Sequence, residues 1–292
     1  MAIKLRNETV AVIGLGAIGL PLALNLAKKG RTVQVWNRSD AAAETAVAAG
    51  ATRVQTLSEI DAGIVLTALP DLPQVDSVLE NGLEAALNAG DVLVVMGTVS
   101  PVAVRKLGQR LSAHSIHLLD APVSGGDVGA QQGTLSIMVG GEADVFEAVK
   151  PTFELIGQTI KHLGALGAGE MAKACNQIVV AVTLSALAEA LTLGEKAGLD
   201  RSALIDILEG GFANSQVLNV KRERFETNNY HRGGSATFQL KDLRFALEAG
   251  EDSGTALPVT TTVKELFEAV VAAGDGEEDH SVVIREIERR SN

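Results

Sequence analysis

Lys173 is the side chain with the clearest capacity for chemistry. It stands in Gly167-Ala-Gly-Glu-Met-Ala-Lys173-Ala-Cys-Asn176-Gln177, where a long helical pattern opens. Asn176 and Gln177 follow at i+3 and i+4, so the three share a helix face. An ammonium near the positive end of a helix is less favourable in its charged form, and partial burial acts in the same direction. A lysine so placed could exchange a proton near neutral pH. By spacing alone, a surface lysine snorkelling beside an apolar helix fits the same pattern.

Glycines supply a second kind of chemistry. Val10-Ala-Val-Ile-Gly14-Leu15-Gly16-Ala17-Ile18-Gly19 is an apolar strand running into G-x-G-x-x-G, with a helical pattern directly after it. Gly14 allows the tight turn, Gly16 lets backbone approach a pyrophosphate, and Gly19 lets the helix pack closely on the strand. The free N–H groups of that helix then face the anion. About twenty residues on, where an acid would bind the ribose hydroxyls of NAD, the chain reads Trp36-Asn37-Arg38-Ser39. Asn37 is neutral and Arg38 can pair with a 2′-phosphate, so the expected cofactor is NADP, with NAD possible. Further on, Ser124-Gly125-Gly126 offers a hydroxyl and consecutive backbone N–H groups, a nest suited to the carboxylate of a small substrate. Thr98 follows the strand Val92–Val95, and Leu69-Pro70-Asp71 ends another on the same side, where ligands bind in such sheets.

These groups need elements to hold them. Strand-like runs occur at Val10–Ile13, Val33–Trp36, Ile64–Leu69, Val92–Val95, Ile116–Leu119, Leu135–Val139 and Thr159–His162. Helical stretches alternate with them at Pro21–Lys29, Ala41–Ala49, Val102–Leu111 and Ala143–Ile156. That rhythm predicts a parallel sheet with helices on both faces. Past Gly164 no strong strand pattern remains. Gly169 to Ala197 reads as one helix closed by Gly198, roughly 45 Å long. Shorter helices are expected near 201–209, 214–226, 239–250, 258–273 and 280–290. The reading is an α/β, Rossmann-type dinucleotide-binding domain over residues 1–164. An all-α domain follows over 165–292, and the long helix joins the two.

Composition removes several alternatives. The 292 residues are 46% apolar and 21% charged, as in soluble globular proteins, and only 3% aromatic, so the core is built from Ala, Val, Leu and Ile. A net charge of −11 without a basic run argues against a nucleic-acid partner. Cys175 is the one cysteine, which rules out internal disulfides and thiolate-rich zinc sites and fits a reducing, cytoplasmic compartment. It is expected in the core. The five histidines show no metal-ligand spacing, so no metal is expected. Met1–Glu8 is too short and polar for a signal peptide and runs into a strand. The apolar stretch Ile178–Leu193 carries Glu189, Thr183, Ser185 and Thr192, which favours a buried helix over a membrane span.

Four segments in this order, Gly14–Pro21, Asp120–Gly126, Gly167–Lys173 with Asn176, and Phe238-Gln-Leu-Lys241-Asp242-Leu243, resemble the β-hydroxyacid dehydrogenase family over nearly the whole chain. Its members reduce or oxidise short semialdehydes and 3-hydroxy acids. The resemblance implies that Lys173 is the catalytic lysine and that Ser124, Gly125 and Gly126 bind the substrate carboxylate. It also implies that Thr98 lies near nicotinamide and substrate, that Lys241 reaches back to the cofactor, and that the protein is a homodimer or homotetramer. Many members carry Asn four residues after the lysine. Here that place is Gln177, and either Asn176 or Gln177 could bond a substrate hydroxyl or carboxylate. Imine reductases and catalytically silent scaffold proteins are similar in fold, but they usually lack the lysine.

Overall fold

The structure, a computed structural model, describes residues 3–231 and 233–292. The chain divides into two compact units, Met1–Lys173 and Ala174–Asn292. The first contains β1 (Val10–Ile13), α1 (Gly19–Lys28), β2 (Val33–Trp36), α2 (Asp40–Ala48), β3 (Thr52–Arg53), β4 (Ile64–Thr67), α3 (Leu72–Val78), α4 (Glu84–Ala86), β5 (Val92–Val95) and α5 (Pro101–Ser112). It continues through β6 (His117–Asp120), β7 (Val123–Ser124), α6 (Gly126–Gln132), β8 (Leu135–Gly140), α7 (Ala143–Phe153) and β9 (Gly157–Gly164), then into the start of α8 (Ala168–Lys196).

β1, β4 and β5 are buried at every residue because both faces of the sheet are covered. Val10 and Val12 pack into one core with Leu22, Leu26 and Val149. Ala11 and Ile13 point the other way, into a core with Val75, Val104 and Leu111. The strand order is β3-β2-β1-β4-β5-β6, continued by β8 and β7, with β9 on β8. β1 to β6 are parallel, in the doubly wound order that leaves a crevice where the order reverses beside β1.

The sheet departs from the expected wholly parallel form at one edge. β8 runs antiparallel to β6 and β7 and parallel to β9. Only residues 125–134 link β7 to β8, too few for a parallel crossover, which needs a dozen or more. That link, to which the sequence pattern assigned no element, contains α6. The segment 72–86, to which the sequence pattern assigned no element, holds α3 and α4. Asp71 starts α3 by accepting the Leu72 N–H at 2.7 Å.

The second unit is helical: the rest of α8, α9 (Arg201–Glu209), α10 (Gln216–Thr227), α11 (Ala236–Ser253), α12 (Pro258–Ala272) and α13 (Val283–Arg290). The last expected helix begins as a 3-10 turn, His280–Val282, because the Asp279 carboxylate caps it through the Ser281 N–H. Leu184, Leu187 and Leu191 of α8 meet Phe225, Leu243 and Phe267 in its core.

Two expectations fail on α8. It is half-buried rather than buried: 44% of its most apolar window is covered, and Val179 and Leu193 are 63% and 72% exposed. By length and composition it is apolar enough to cross a membrane. Cys175 is exposed, not a core residue, because it lies on the uncovered face with Val179.

Candidate functional site

The glycine turn is shaped by contacts that leave no room for side chains at two of its three glycines. Gly14 has φ +89° and donates its N–H to the Trp36 carbonyl at 3.0 Å. A Cβ on Gly19 would lie 1.8 Å from the Gly14 carbonyl oxygen, so helix and strand meet there as the motif requires. At Gly16 the reverse holds. A Cβ would meet nothing within 4 Å, and Gly16 and Ala17 are exposed, with Ile18 partly so. The turn thus presents bare backbone to open space at the residue expected to face a pyrophosphate.

Asn37 is tied into this turn. Its Oδ1 accepts the Leu15 N–H at 2.9 Å, and its amide donates to the Ser39 carbonyl at 3.0 Å and to Ser39 Oγ at 2.9 Å. It therefore braces the glycine turn against the end of β2. Arg38 is exposed and has no partner among the described residues. The nearest acid along the chain, Asp40, is held by the Arg53 guanidinium of β3, so it does not neutralise Arg38.

Leu69 and Pro70 follow β4, and Gly97 and Thr98 follow β5. A Cβ on Gly97 would lie 1.9 Å from the Leu69 carbonyl oxygen, so these two loops touch backbone to backbone. Ser100 then caps α5 through the Ala103 N–H at 3.1 Å, with Pro101 opening the helix. Ser124 ends β7, paired with Ser136. Gly125 and Gly126 have φ of +125° and +62°, both are exposed, and a Cβ on Gly126 would meet nothing within 4 Å. Their N–H groups open α6, as an anion nest would.

Lys173 lies in the second turn of α8 and is 8% exposed. The start of this helix is anchored to the sheet by Asp120, the last residue of β6, which is fully buried. Asp120 Oδ1 accepts the Gly167 N–H and Oδ2 accepts the Glu170 N–H, each at 2.7 Å. Burial pushes the Asp120 carboxyl above its ordinary range, while the N–H groups of Gly167, Glu170 and Gly169 pull it down. The Glu170 carboxylate, 1% exposed, accepts the Val99 N–H at 3.1 Å. The turn that carries Lys173 is thereby fastened to the carboxyl ends of β5 and β6.

The remaining candidates belong to the second unit. Gln177 donates its amide to Asp242 at 2.6 Å, whereas Asn176 Oδ1 is buried without a hydrogen-bond partner among the described residues. Lys241 lies 3.3 Å from the Asp242 carboxylate and over the rings of Phe245 and Phe238, at 5.0 and 5.9 Å.

Two family models match the chain in succession. Residues 9–164 match the family described as the NAD binding domain of 6-phosphogluconate dehydrogenase. Residues 167–287 match that described as the NAD-binding domain of NADP-dependent 3-hydroxyisobutyrate dehydrogenase. The 2-hydroxy-3-oxopropionate reductase of Escherichia coli K12 is 39% identical over 96% of this chain and 97% of its own. The 2-(hydroxymethyl)glutarate dehydrogenase of Eubacterium barkeri is 38% identical over 96% and 95%. The chain belongs to the β-hydroxyacid dehydrogenase family. Among solved structures, Mycobacterium tuberculosis 3-hydroxyisobutyrate dehydrogenase with L-serine superposes at a TM-score of 0.84, with 32% identity over 98% of this chain and 99% of that one.

As a member of this family the chain is an NAD(P)-dependent hydroxyacid dehydrogenase. Sequence reasoning did not identify Glu170 as part of the lysine's surroundings, nor Asp120 as the cap of its helix. The partners of Asp120 are 47 and 50 residues away in the chain, so no local pattern announces them. An acid in the first turn of a helix is ordinarily a dipole partner, which is how Glu170 reads until its burial is known.

Proposed function

We propose that the chain is an NADP-preferring oxidoreductase that interconverts a short 3-hydroxy acid and its semialdehyde, with Lys173 as the acid/base group. One observation carries this reading. The buried Lys173 sits on the helical turn that Asp120 and Glu170 fasten to the carboxyl ends of β5 and β6, the side of the sheet where the glycine turn also opens. The open space at Gly16 fits a dinucleotide. Residues Gly14 to Gly19, including Leu15, Ala17 and Ile18, would hold its pyrophosphate. Leu69, Pro70 and Thr98 would flank the nicotinamide half, and the family resemblance adds Lys241 as a further cofactor residue. A nicotinamide bound there would supply hydride chemistry at the carbonyl carbon, in either direction. Ser124 Oγ and the N–H groups of Gly125 and Gly126 hold the substrate carboxylate. Lys173 Nζ gives its proton to the carbonyl oxygen as the alcohol forms, and takes it back in the reverse direction. The lone cysteine and the family resemblance support a cytoplasmic homodimer or homotetramer.

The cofactor preference rests on Arg38. A charge-assisted bond to a 2′-phosphate is worth about 1.5–3 kcal/mol. Arg38→Ala is therefore expected to raise KM for NADPH by about 10- to 100-fold and leave NADH unchanged. Steady-state kinetics with both cofactors, on a panel of glyoxylate, succinic, tartronate and methylmalonate semialdehydes, checks this and the substrate class together. A parent enzyme that prefers NADH, or one silent on every carbonyl, would refute the reading.

Asn176, rather than Gln177, is the amide we place on the substrate, because the Gln177 amide is already taken by Asp242. Asn176→Ala should raise substrate KM by about tenfold, the worth of one hydrogen bond. Gln177→Ala should act on thermal stability instead. The opposite pattern would reverse the assignment.

A further inference from the structure

We infer that Glu170 is a positioning residue: its buried carboxylate fixes the loop carrying Thr98 against the helical turn carrying Lys173. The inference builds on the reading of Lys173 as the acid/base group.

Two of the bonds that Glu170 makes run to different strands. Its backbone N–H goes to Asp120 at the end of β6, at 2.7 Å. Its side chain turns to the next strand and accepts the Val99 N–H, at 3.1 Å. Val99 directly follows Thr98, and the next residue, Ser100, caps α5. One side chain on the lysine's own helix therefore sets the backbone of the Thr98 loop, three residues before Lys173 and so on nearly the same helix face. Glu170 is 1% exposed, and Val99 is itself buried at 1%, so water does not compete for this bond. The loop is short of freedom elsewhere. Gly97 lies backbone to backbone against Leu69, and α5 begins at Pro101. A shift of Val99 would thus be passed to the hydroxyl of Thr98, with no flexible residue in between.

Proton transfer needs donor and acceptor atoms held within hydrogen-bond reach, and a displacement of about 1 Å can cost 10²-fold in rate. The chemistry of the bond gives a clean contrast. A single amide oxygen can replace the carboxylate oxygen that accepts from Val99, so Gln serves the same purpose, whereas Ala cannot.

The experiment compares Glu170→Ala and Glu170→Gln in the full-length protein. The pH-independent kcat is measured with NADPH and tartronate semialdehyde, and amide hydrogen exchange at Val99 is followed without substrate. Glu170→Ala is expected to lower kcat by about 10- to 100-fold and to speed exchange at Val99. Its NADPH Kd should remain within about threefold of the parent. Glu170→Gln is expected to restore slow exchange and bring kcat to within about fivefold of the parent. Unchanged kcat in Glu170→Ala overturns the inference, as does Glu170→Gln behaving like Glu170→Ala, which would place the effect on charge. Failure of the Lys173 reading has a different signature: Lys173→Ala would keep its turnover while the exchange result at Val99 stood.

Discussion

Lys173→Ala is expected to lose about 10²- to 10⁴-fold in kcat, the usual contribution of a positioned proton donor. Affinity for NADPH should stay within about threefold, because the glycine turn, Asn37 and Arg38 are untouched. The lysine is 8% exposed, so a folded Ala variant is checked by its thermal midpoint alongside the kinetics. Lys173→Arg separates two explanations of the same loss. If Lys173 only attracts the substrate carboxylate or the developing oxyanion, a guanidinium supplies the charge and activity largely returns. If the ammonium gives up a proton, arginine cannot replace it, because it stays protonated at every working pH. The acid/base reading predicts that Arg is as poor as Ala. Saturating single-turnover measurements with NADPH make the comparison, and an Ala variant within tenfold of the parent would end the reading.

The parts of this site that were legible in the sequence are those set by neighbours in the chain. The glycine turn needs a strand, three glycines at fixed offsets and a helix, all within a dozen residues. The turn has the predicted form, down to the Gly14–Gly19 contact. Lys173 could be singled out because it opens a long helix. The apolar runs of β1, β4 and β5 revealed a doubly covered sheet, since a strand buried on both faces loses its alternation. What stayed hidden depends on distant partners. Asn37 reads as a cofactor residue from its place after β2, and its bonds to Leu15 and Ser39 are not visible in that pattern. β7 has two residues and α6 seven, too short to carry a period. α8 is apolar on most of its circumference, so the sequence gives no indication of which face is covered. That is why Cys175 was expected inside and is exposed.

Asp120→Ala is expected to be the most destabilising of these substitutions in the first unit. The carboxylate is fully buried and its two oxygens take two backbone N–H groups at the start of α8. Removing it leaves both donors without a partner at a buried helix end, at about 1–3 kcal/mol each. Part of that loss is returned, because burial opposes the charged carboxyl, so a net cost of about 2–4 kcal/mol is expected. Asn does not restore the site. Its oxygen can take one N–H, but its NH2 then faces the other donor. Flipping the amide only exchanges which of the two donors meets the NH2. The sign of the pH dependence follows from the raised carboxyl. A group whose folded value lies above its unfolded value contributes most below the unfolded value, near 3.9 for Asp, and loses that contribution as pH rises through the folded value. The stability gap between parent and Asp120→Ala should therefore be wider at about pH 4.5 than at about pH 7.5. Denaturant titration at both pH values reads it, following a probe in residues 3–173. A gap below about 0.5 kcal/mol at both would show that the helix start is held by something other than this carboxylate. Where the gap appears, kcat should fall with it, because the turn that Asp120 anchors is the one that carries Lys173.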